Sequence, residues 1–142
     1  MKTIYNNYVS TVQKLDSLAL FFLRVILAYG FYEPAMTKVK NVSGIAEWFA
    51  GMNYPLPYLN AYLATATEVL GVVLLVLGLG TRIIAIPLII VMLVAIFTVH
   101  IGNGFSAGDN GFEIPVYYLL MLFTLIAFGS GKYSIDQLIK KK

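Results

Sequence analysis

The sequence predicts an all-α, polytopic membrane protein: a bundle of four transmembrane helices with a short interfacial helix between the first two spans. Hydrophobic residues make up 59% of the 142 positions and charged residues only 12%, whereas an ordinary soluble domain is about one-quarter charged. A chain of this length cannot bury so much apolar surface in its own core, but lipid can cover it. The apolar residues also fall into four runs of roughly the length that crosses ~30 Å of hydrocarbon.

We expect residues 1–142 to form a single membrane domain with spans at about 18–36, 59–80, 83–100 and 112–128. The first span follows Asp16 and Ser17, which are good helix N-caps, and Pro34 is expected to kink or end it. The mixed, polar stretch before that span does not have the pattern of a cleaved signal peptide.

The connections between the spans differ in kind. Residues 43–52 are too few to cross a bilayer, and their apolar face with Trp48 predicts a short helix at the headgroup level. The turn at 78–82 is tight, so the third span should return antiparallel to the second. Residues 101–111 contain four glycines and two asparagines and are expected to form a loop.

The distribution of basic residues predicts the orientation. Seven lie on one side of the membrane and two on the other, and the positive-inside rule places both termini in the cytoplasm. We therefore expect a multi-pass membrane protein, with the lipid bilayer as its first partner. The seven are Lys2, Lys14, Arg82, Lys132, Lys140, Lys141 and Lys142, and the two are Lys38 and Lys40.

Two classes of function are disfavoured by composition. The chain has no cysteine, so it forms no disulfide and carries no thiol nucleophile or thiol redox pair. Its net charge of +3 comes from residues at the termini and turns, which argues against a nucleic-acid surface.

Charged groups inside a membrane are costly and should face the bundle interior. Arg24 and Glu68 fall at depths that differ by only several ångströms, about 9 Å from the inner and 14 Å from the outer end of their spans. We therefore predict an Arg24–Glu68 ion pair. The pair either fixes helix packing or lines a ligand site, where Tyr29 and Tyr32 could stack on a flat apolar ring such as a quinone.

A second set of ionisable residues is expected at the outer ends of the spans. Glu33, His100 and Glu113 reach the same level and could form a cluster that exchanges protons, which would make them the catalytic candidates. Alternatively, they cap helix ends in interfacial water. A single histidine excludes a bis-histidine haem, and dispersed carboxylates do not predict a metal site.

Five segments resemble the DoxX family of small bacterial membrane proteins. The resemblance extends over about residues 15–136 and includes Arg24, Glu68, His100 and Glu113. It implies a four-helix membrane bundle, in some members a subunit of thiosulfate:quinone oxidoreductase or of other membrane-associated redox assemblies. The segments are LRVILAYGFYEPAMTKV, ATEVLGVVLLVLGLGTR, VAIFTVHIGNGF, NGFEIPVYYLLML and GKYSID.

Three functions remain open on this basis. The first is a redox-associated subunit that acts with partner subunits, binds a quinone or similar electron carrier through Arg24 and Glu68, and exchanges protons at the outer cluster. The second is a non-enzymatic anchor or assembly factor for a partner protein. The third is a pathway for a small solute or protons. Self-association into a homo-oligomer is compatible with each, and the sequence does not decide whether the chain is an enzyme.

Overall fold

The computed structural model describes the backbone of residues 2–141 and the side chains of residues 4–141. Lys142 and the side chain of Lys2, both counted among the basic residues above, lie outside this range. The described part contains seven α-helices, joined by short 3₁₀ and π turns. They are α1 (Lys2–Val12), α2 (Asp16–Lys40), α3 (Val42–Gly51), α4 (Pro57–Leu77), α5 (Thr81–Ala95), α6 (Glu113–Phe128) and α7 (Ile135–Lys140).

Three helical stretches are long and apolar enough to cross a membrane: Ile4–Lys40, Pro57–Leu77 and Thr81–Asn103. The fourth apolar helix, α6, has 16 residues, about 24 Å at 1.5 Å per residue, and packs in the same bundle against α2 and α5. The all-α bundle and the short helix between the first two long helices are confirmed. That α6 makes a fourth complete crossing stays a prediction.

The core of the bundle is apolar and closely packed. Leu27 and Phe31 of α2 meet Leu75 of α4, Leu88 of α5 and Leu122 of α6, each fully or almost fully buried. Many large apolar side chains elsewhere on the same helices point outward and are exposed. This arrangement is typical of helices whose outer surface is covered by lipid.

Two glycines allow close contact between helices. A Cβ built on Gly71 would lie 2.8 Å from Cδ2 of Leu88, so α4 and α5 touch at this point because Gly71 has no side chain. Gly30 of α2 lies under the ring of Tyr118 from α6 in the same way. Small residues at such contacts are typical of helix packing in membranes.

We call the end of the bundle where α2 begins, α4 ends and α5 begins the basal end, and the opposite end the distal end. The segment 129–141 folds back onto the basal end, where Asp136 accepts hydrogen bonds from the backbone N–H groups of Gly80 (2.7 Å) and Thr81 (3.2 Å). These are two of the amides that begin α5, so Asp136 caps that helix from a distant part of the chain. Helix α1, which precedes α2, and helix α7 therefore lie at the same end of the bundle.

Three features differ from the sequence predictions. Helix α2 continues through Pro34 to Lys40, and proline within a helix is a feature that membrane-spanning helices tolerate. The polar stretch before the first span forms α1, which a 3₁₀ turn joins to α2. The polar tail contains α7, which Ser134 caps through its hydroxyl.

Candidate functional site

The distal half of the bundle contains a cavity of about 500 Å³, within the range typical of small-molecule sites. It lies between α4 and α5 on the distal side of the Gly71–Leu88 contact, and residues from the end of α2 and from α3 complete it. The wall from α4 contains Asn60, Leu63, Ala64, Thr67 and Glu68. The wall from α5 and its extension includes Pro87, Ile90, Val91, Val94, Ala95, Thr98 and His100.

The cavity is mainly apolar, and its wall contains an ion pair. Nζ of Lys38 donates to both carboxylate oxygens of Glu68, at 2.8 Å from Oε2 and 3.0 Å from Oε1. The Glu68 side chain is 3% exposed and that of Lys38 is 18% exposed. A charged pair this deep in an apolar helix bundle is costly to desolvate unless each member neutralises the other.

Helical spacing explains why both groups point inward. Glu68 shares a face of α4 with the buried residues Ala61, Thr65 and Gly71, which follow the i, i+3 and i+4 pattern. Lys38 follows the buried Ala35 by three residues and continues the buried face of α2. The two helices pack along these faces, so the ammonium and the carboxylate meet.

Aromatic side chains close the distal side of the cavity. Trp48 and Phe49 come from α3, and Tyr54 comes from the turn that follows it. The rings of Phe49 and Tyr54 are stacked, with centroids 5.0 Å apart and an interplanar angle of 26°. The predicted interfacial helix therefore contributes a wall of flat rings to the site.

A π-helical turn at Ile96–His100 extends α5 and brings His100 to the cavity wall. Nδ1 of His100 lies 2.8 Å from the carbonyl oxygen of Asn110, so the loop before α6 orients the ring. π turns within α-helices are frequent at functional sites. His100 is thus held at the distal rim by one ring nitrogen.

The cavity has an opening between α4 and α5. Leu63 of α4 and Ile90 of α5 both line it, yet their side chains are 55% and 56% exposed on the outer surface of the bundle. The gap between these two helices is therefore a lateral mouth. In a bilayer such a mouth faces lipid chains.

The predicted Arg24–Glu68 ion pair is wrong. Arg24 is fully buried at the basal end and donates to the carbonyl oxygens of Leu75 (2.8 Å), Val76 (3.3 Å) and Tyr133. The last carbonyls of a helix have no partner within it and attract a cation, and Leu75 lies about 10 Å along α4 from Glu68. Arg24 therefore does not line the cavity.

The other predicted site residues are dispersed. Tyr29 and Tyr32 are 77% and 54% exposed on the outside of α2, and Glu33 is exposed beside them. Glu113 accepts from the backbone N–H of Ala107 and the hydroxyl of Tyr117, at 2.9 and 2.8 Å. Of the seven site residues predicted from the sequence, only Glu68 and His100 line the cavity.

Sequence reasoning missed Lys38, which it used only to count charges outside the membrane. The signal lay in the spacing: Lys38 is 14 positions from Arg24, close to four helical turns, so both fall near the same face of one helix. Treating residue 36 as the end of the span concealed this, because it placed Lys38 beyond the membrane helix.

The comparisons with known proteins identify one family. The DoxX family model matches residues 19–101. A protein of Haemophilus influenzae (strain Rd) named "Uncharacterized protein" is 34% identical over 134 residues, which is 89% of this chain and 86% of its own length. The "Putative oxidoreductase CatD" of Bacillus subtilis (strain 168) is 30% identical over 132 residues, 92% of this chain and 93% of its own.

A second Haemophilus influenzae protein, also named "Uncharacterized protein", is 29% identical over 136 residues, covering 94% of this chain and 99% of its own length. No solved structure matches the chain. The match of the family model extends from α2 through α5 to just beyond the π turn, so it contains both members of the Lys38–Glu68 pair and His100. The chain belongs to the DoxX family of membrane proteins.

Proposed function

We propose that this protein is a membrane-embedded subunit of a redox system and binds the ring of a quinone in the distal cavity. The observation that carries the proposal is the Lys38–Glu68 ion pair in the wall of a mainly apolar cavity that opens between α4 and α5. A quinone has the matching chemistry: a flat apolar ring with carbonyl oxygens that accept hydrogen bonds.

Each part of the site has a role in this proposal. Two hydrogen bonds to Glu68 leave the third N–H of the Lys38 ammonium for a quinone carbonyl. The stacked rings of Phe49 and Tyr54 suit the face of a flat ligand. The second ring nitrogen of His100 could serve the opposite carbonyl or exchange a proton with it. Reduction of the ring to the quinol would take two electrons from a partner redox subunit and two protons from water, which the side chains of Lys38, Glu68 and His100 would relay.

The name of the Bacillus subtilis relative, "Putative oxidoreductase CatD", supports a redox role. We extend this assignment to the present chain as part of the proposal. We also propose that the protein lies in a bacterial cytoplasmic membrane with both termini in the cytoplasm. The cavity would then open into the outer leaflet.

The structure favours a ligand site over the two alternatives. A solute pathway needs a continuous passage, but Leu75, Leu88 and Leu122 are fully buried on the basal side of the cavity. A tether through the basic tail needs that tail to be free, but the tail is bound to the bundle through Tyr133 and Asp136. Neither observation opposes binding of an apolar molecule from the membrane.

Trp48 allows a direct test, because it lines the cavity and is the only tryptophan in the chain. A decyl-substituted benzoquinone is titrated into the purified protein in detergent while tryptophan fluorescence is measured. We expect saturable quenching, and we expect the affinity to fall at least about tenfold in Lys38→Met, equivalent to the loss of one good hydrogen bond.

Lys40→Met is the matched control, because Lys40 is exposed two residues further along the same helix. Its affinity should stay within about twofold of the original protein. Quenching that fails to saturate, or equal affinity in Lys38→Met and Lys40→Met, would refute the proposal.

A further inference from the structure

The basal end carries a second cavity, of about 290 Å³, which we call the basal groove. It lies between the start of α2, the end of α6 and the folded-back C-terminal segment. Its lining includes three basic residues, Arg82, Lys132 and Lys140, and two acidic ones, Asp16 and Asp136. We propose that the basal groove binds the phosphate group of an anionic phospholipid.

The balance of charge favours an anion. Both carboxylate oxygens of Asp136 already accept backbone N–H groups at the start of α5, so its charge is stabilised by the helix that it caps. Asp16 is exposed, and its charge is therefore well solvated. The three basic side chains are left with an excess of hydrogen-bond donors directed at the groove.

Arg82 is held in position for this role. Its Nη2 donates to the carbonyl oxygen of Ala127 at 3.0 Å. The guanidinium also lies against Gly129, where a Cβ would come within 3.3 Å of Nε. An arginine fixed in this way keeps further N–H groups free and loses little side-chain entropy when it binds phosphate.

The surroundings of the groove distinguish a lipid from a free anion. Phe128 lines the groove and is 72% exposed, and Ile83, next to Arg82, is 77% exposed. A phospholipid bound by its phosphate could lay its acyl chains along these residues on the outer surface of the bundle. Basic groups at the membrane surface attract anionic lipids by about 1 kcal/mol each.

The test uses thermal unfolding of the whole protein in detergent micelles, followed by the fluorescence of Trp48. Micelles contain added phosphatidylglycerol or phosphatidylcholine at equal mole fraction, or inorganic phosphate at the same concentration. We expect phosphatidylglycerol to raise the unfolding midpoint by about 5 °C relative to phosphatidylcholine. Inorganic phosphate should shift it by much less.

The double variant Lys132→Gln with Lys140→Gln should lose at least half of this shift, and both side chains are exposed, so folding should be unaffected. Arg82→Gln should lose nearly all of it. Lys40→Gln, at the distal end, is the control and should keep the full shift. Equal shifts with both lipids, a full shift in the double variant, or an equal shift with inorganic phosphate would each overturn the proposal. None of these outcomes bears on the distal cavity.

Discussion

The ammonium of Lys38 lies between the two carboxylate oxygens of Glu68, at 2.8 and 3.0 Å, and so joins the distal end of α2 to the middle of α4. At the basal end of the same two helices, Arg24 donates to the last carbonyls of α4. Two cationic side chains of α2 thus bind α4 at two levels. Lys38 binds a side chain of α4, and Arg24 binds its backbone carbonyls. The two contacts differ in chemistry, and this difference makes them separately testable.

Breaking the distal pair should destabilise the protein. Glu68→Leu leaves the Lys38 ammonium without its partner in an apolar wall, and we expect a loss of about 3 kcal/mol in the free energy of unfolding, at the low end for buried pairs because Lys38 is 18% exposed. Adding Lys38→Met should recover most of that loss, since it removes the stranded charge. Denaturant unfolding in detergent measures both. If the double variant is no more stable than Glu68→Leu, then Glu68 does not stabilise the protein by pairing with Lys38.

Substitutions of the two glycines at the α4–α5 turn distinguish the cost of backbone strain from the cost of displacing Arg24. Gly78 and Gly80 both have positive φ, +65° and +57°, but a Cβ on Gly78 would lie 2.4 Å from Nη1 of Arg24, whereas a Cβ on Gly80 meets nothing within 4 Å. We expect Gly80→Ala to cost about 1–2 kcal/mol from strain alone. Gly78→Ala should cost at least about 1–3 kcal/mol more, since it also displaces a packed side chain. Equal costs in thermal unfolding would mean that Arg24 is not confined there.

The contact between α4 and α5 depends on the absence of a side chain at Gly71. Gly71→Ala would place a methyl group 2.8 Å from Leu88, and overpacking of this kind costs about 1–3 kcal/mol. Gly51→Ala is the control, because nothing lies within 4 Å of its Cβ. In the variant that combines Gly71→Ala with Leu88→Ala, the cost should be smaller than the sum of the single costs, because the two atoms no longer collide. Strict additivity would argue against the contact.

Asp136 should hold the C-terminal segment in place. Asp136→Ala removes the cap from α5, with an expected loss of about 1 kcal/mol, and frees the segment after α6. Limited proteolysis with trypsin should then cleave after Lys132 or Lys140 faster than in the original protein. Asp109→Ala, in the exposed distal loop, should leave the cleavage rate unchanged. The prediction fails if the two variants are cleaved alike.

The orientation can be tested because the chain has no cysteine. Single cysteines are introduced at Ser10 in α1 and at Asp109 in the distal loop, both exposed positions. In intact cells a membrane-impermeant maleimide should label Asp109→Cys, and it should label Ser10→Cys only after the membrane is opened. The reverse pattern would place the termini outside the cytoplasm.

Much of the fold could be predicted from the sequence, because hydropathy identifies the apolar segments and turn residues indicate where those segments end. The short helix with Trp48 and the tight turn at Gly78 were predicted on this basis, and both are present. The folding of the polar ends was not predicted. Segment 129–141 is held by contacts from distant residues, including the carbonyl of Tyr133 and the carboxylate of Asp136, which no local pattern reveals.

The site was predicted only in part, for a geometric reason. Counting residues along a span gives depth in the membrane, but it does not give the direction in which a side chain points. The depth of Glu68 in the membrane correctly indicated that it needs a cationic partner. The same comparison of depths predicted Arg24 as that partner, whereas the structure shows Lys38. Arg24 finds neutral carbonyl oxygens instead, and pairing rules based on charge do not consider backbone groups as partners.

The lateral mouth between Leu63 and Ile90 determines how a ligand reaches the distal cavity. A molecule that arrives through this mouth diffuses in two dimensions within the hydrocarbon, where apolar compounds are far more concentrated than in water. Only its ring needs to be enclosed, and any isoprenoid chain can stay among the lipids. Occupancy should therefore follow the mole fraction of the ligand in the bilayer, and compounds that share a ring but differ in tail length should bind alike once their partitioning is taken into account.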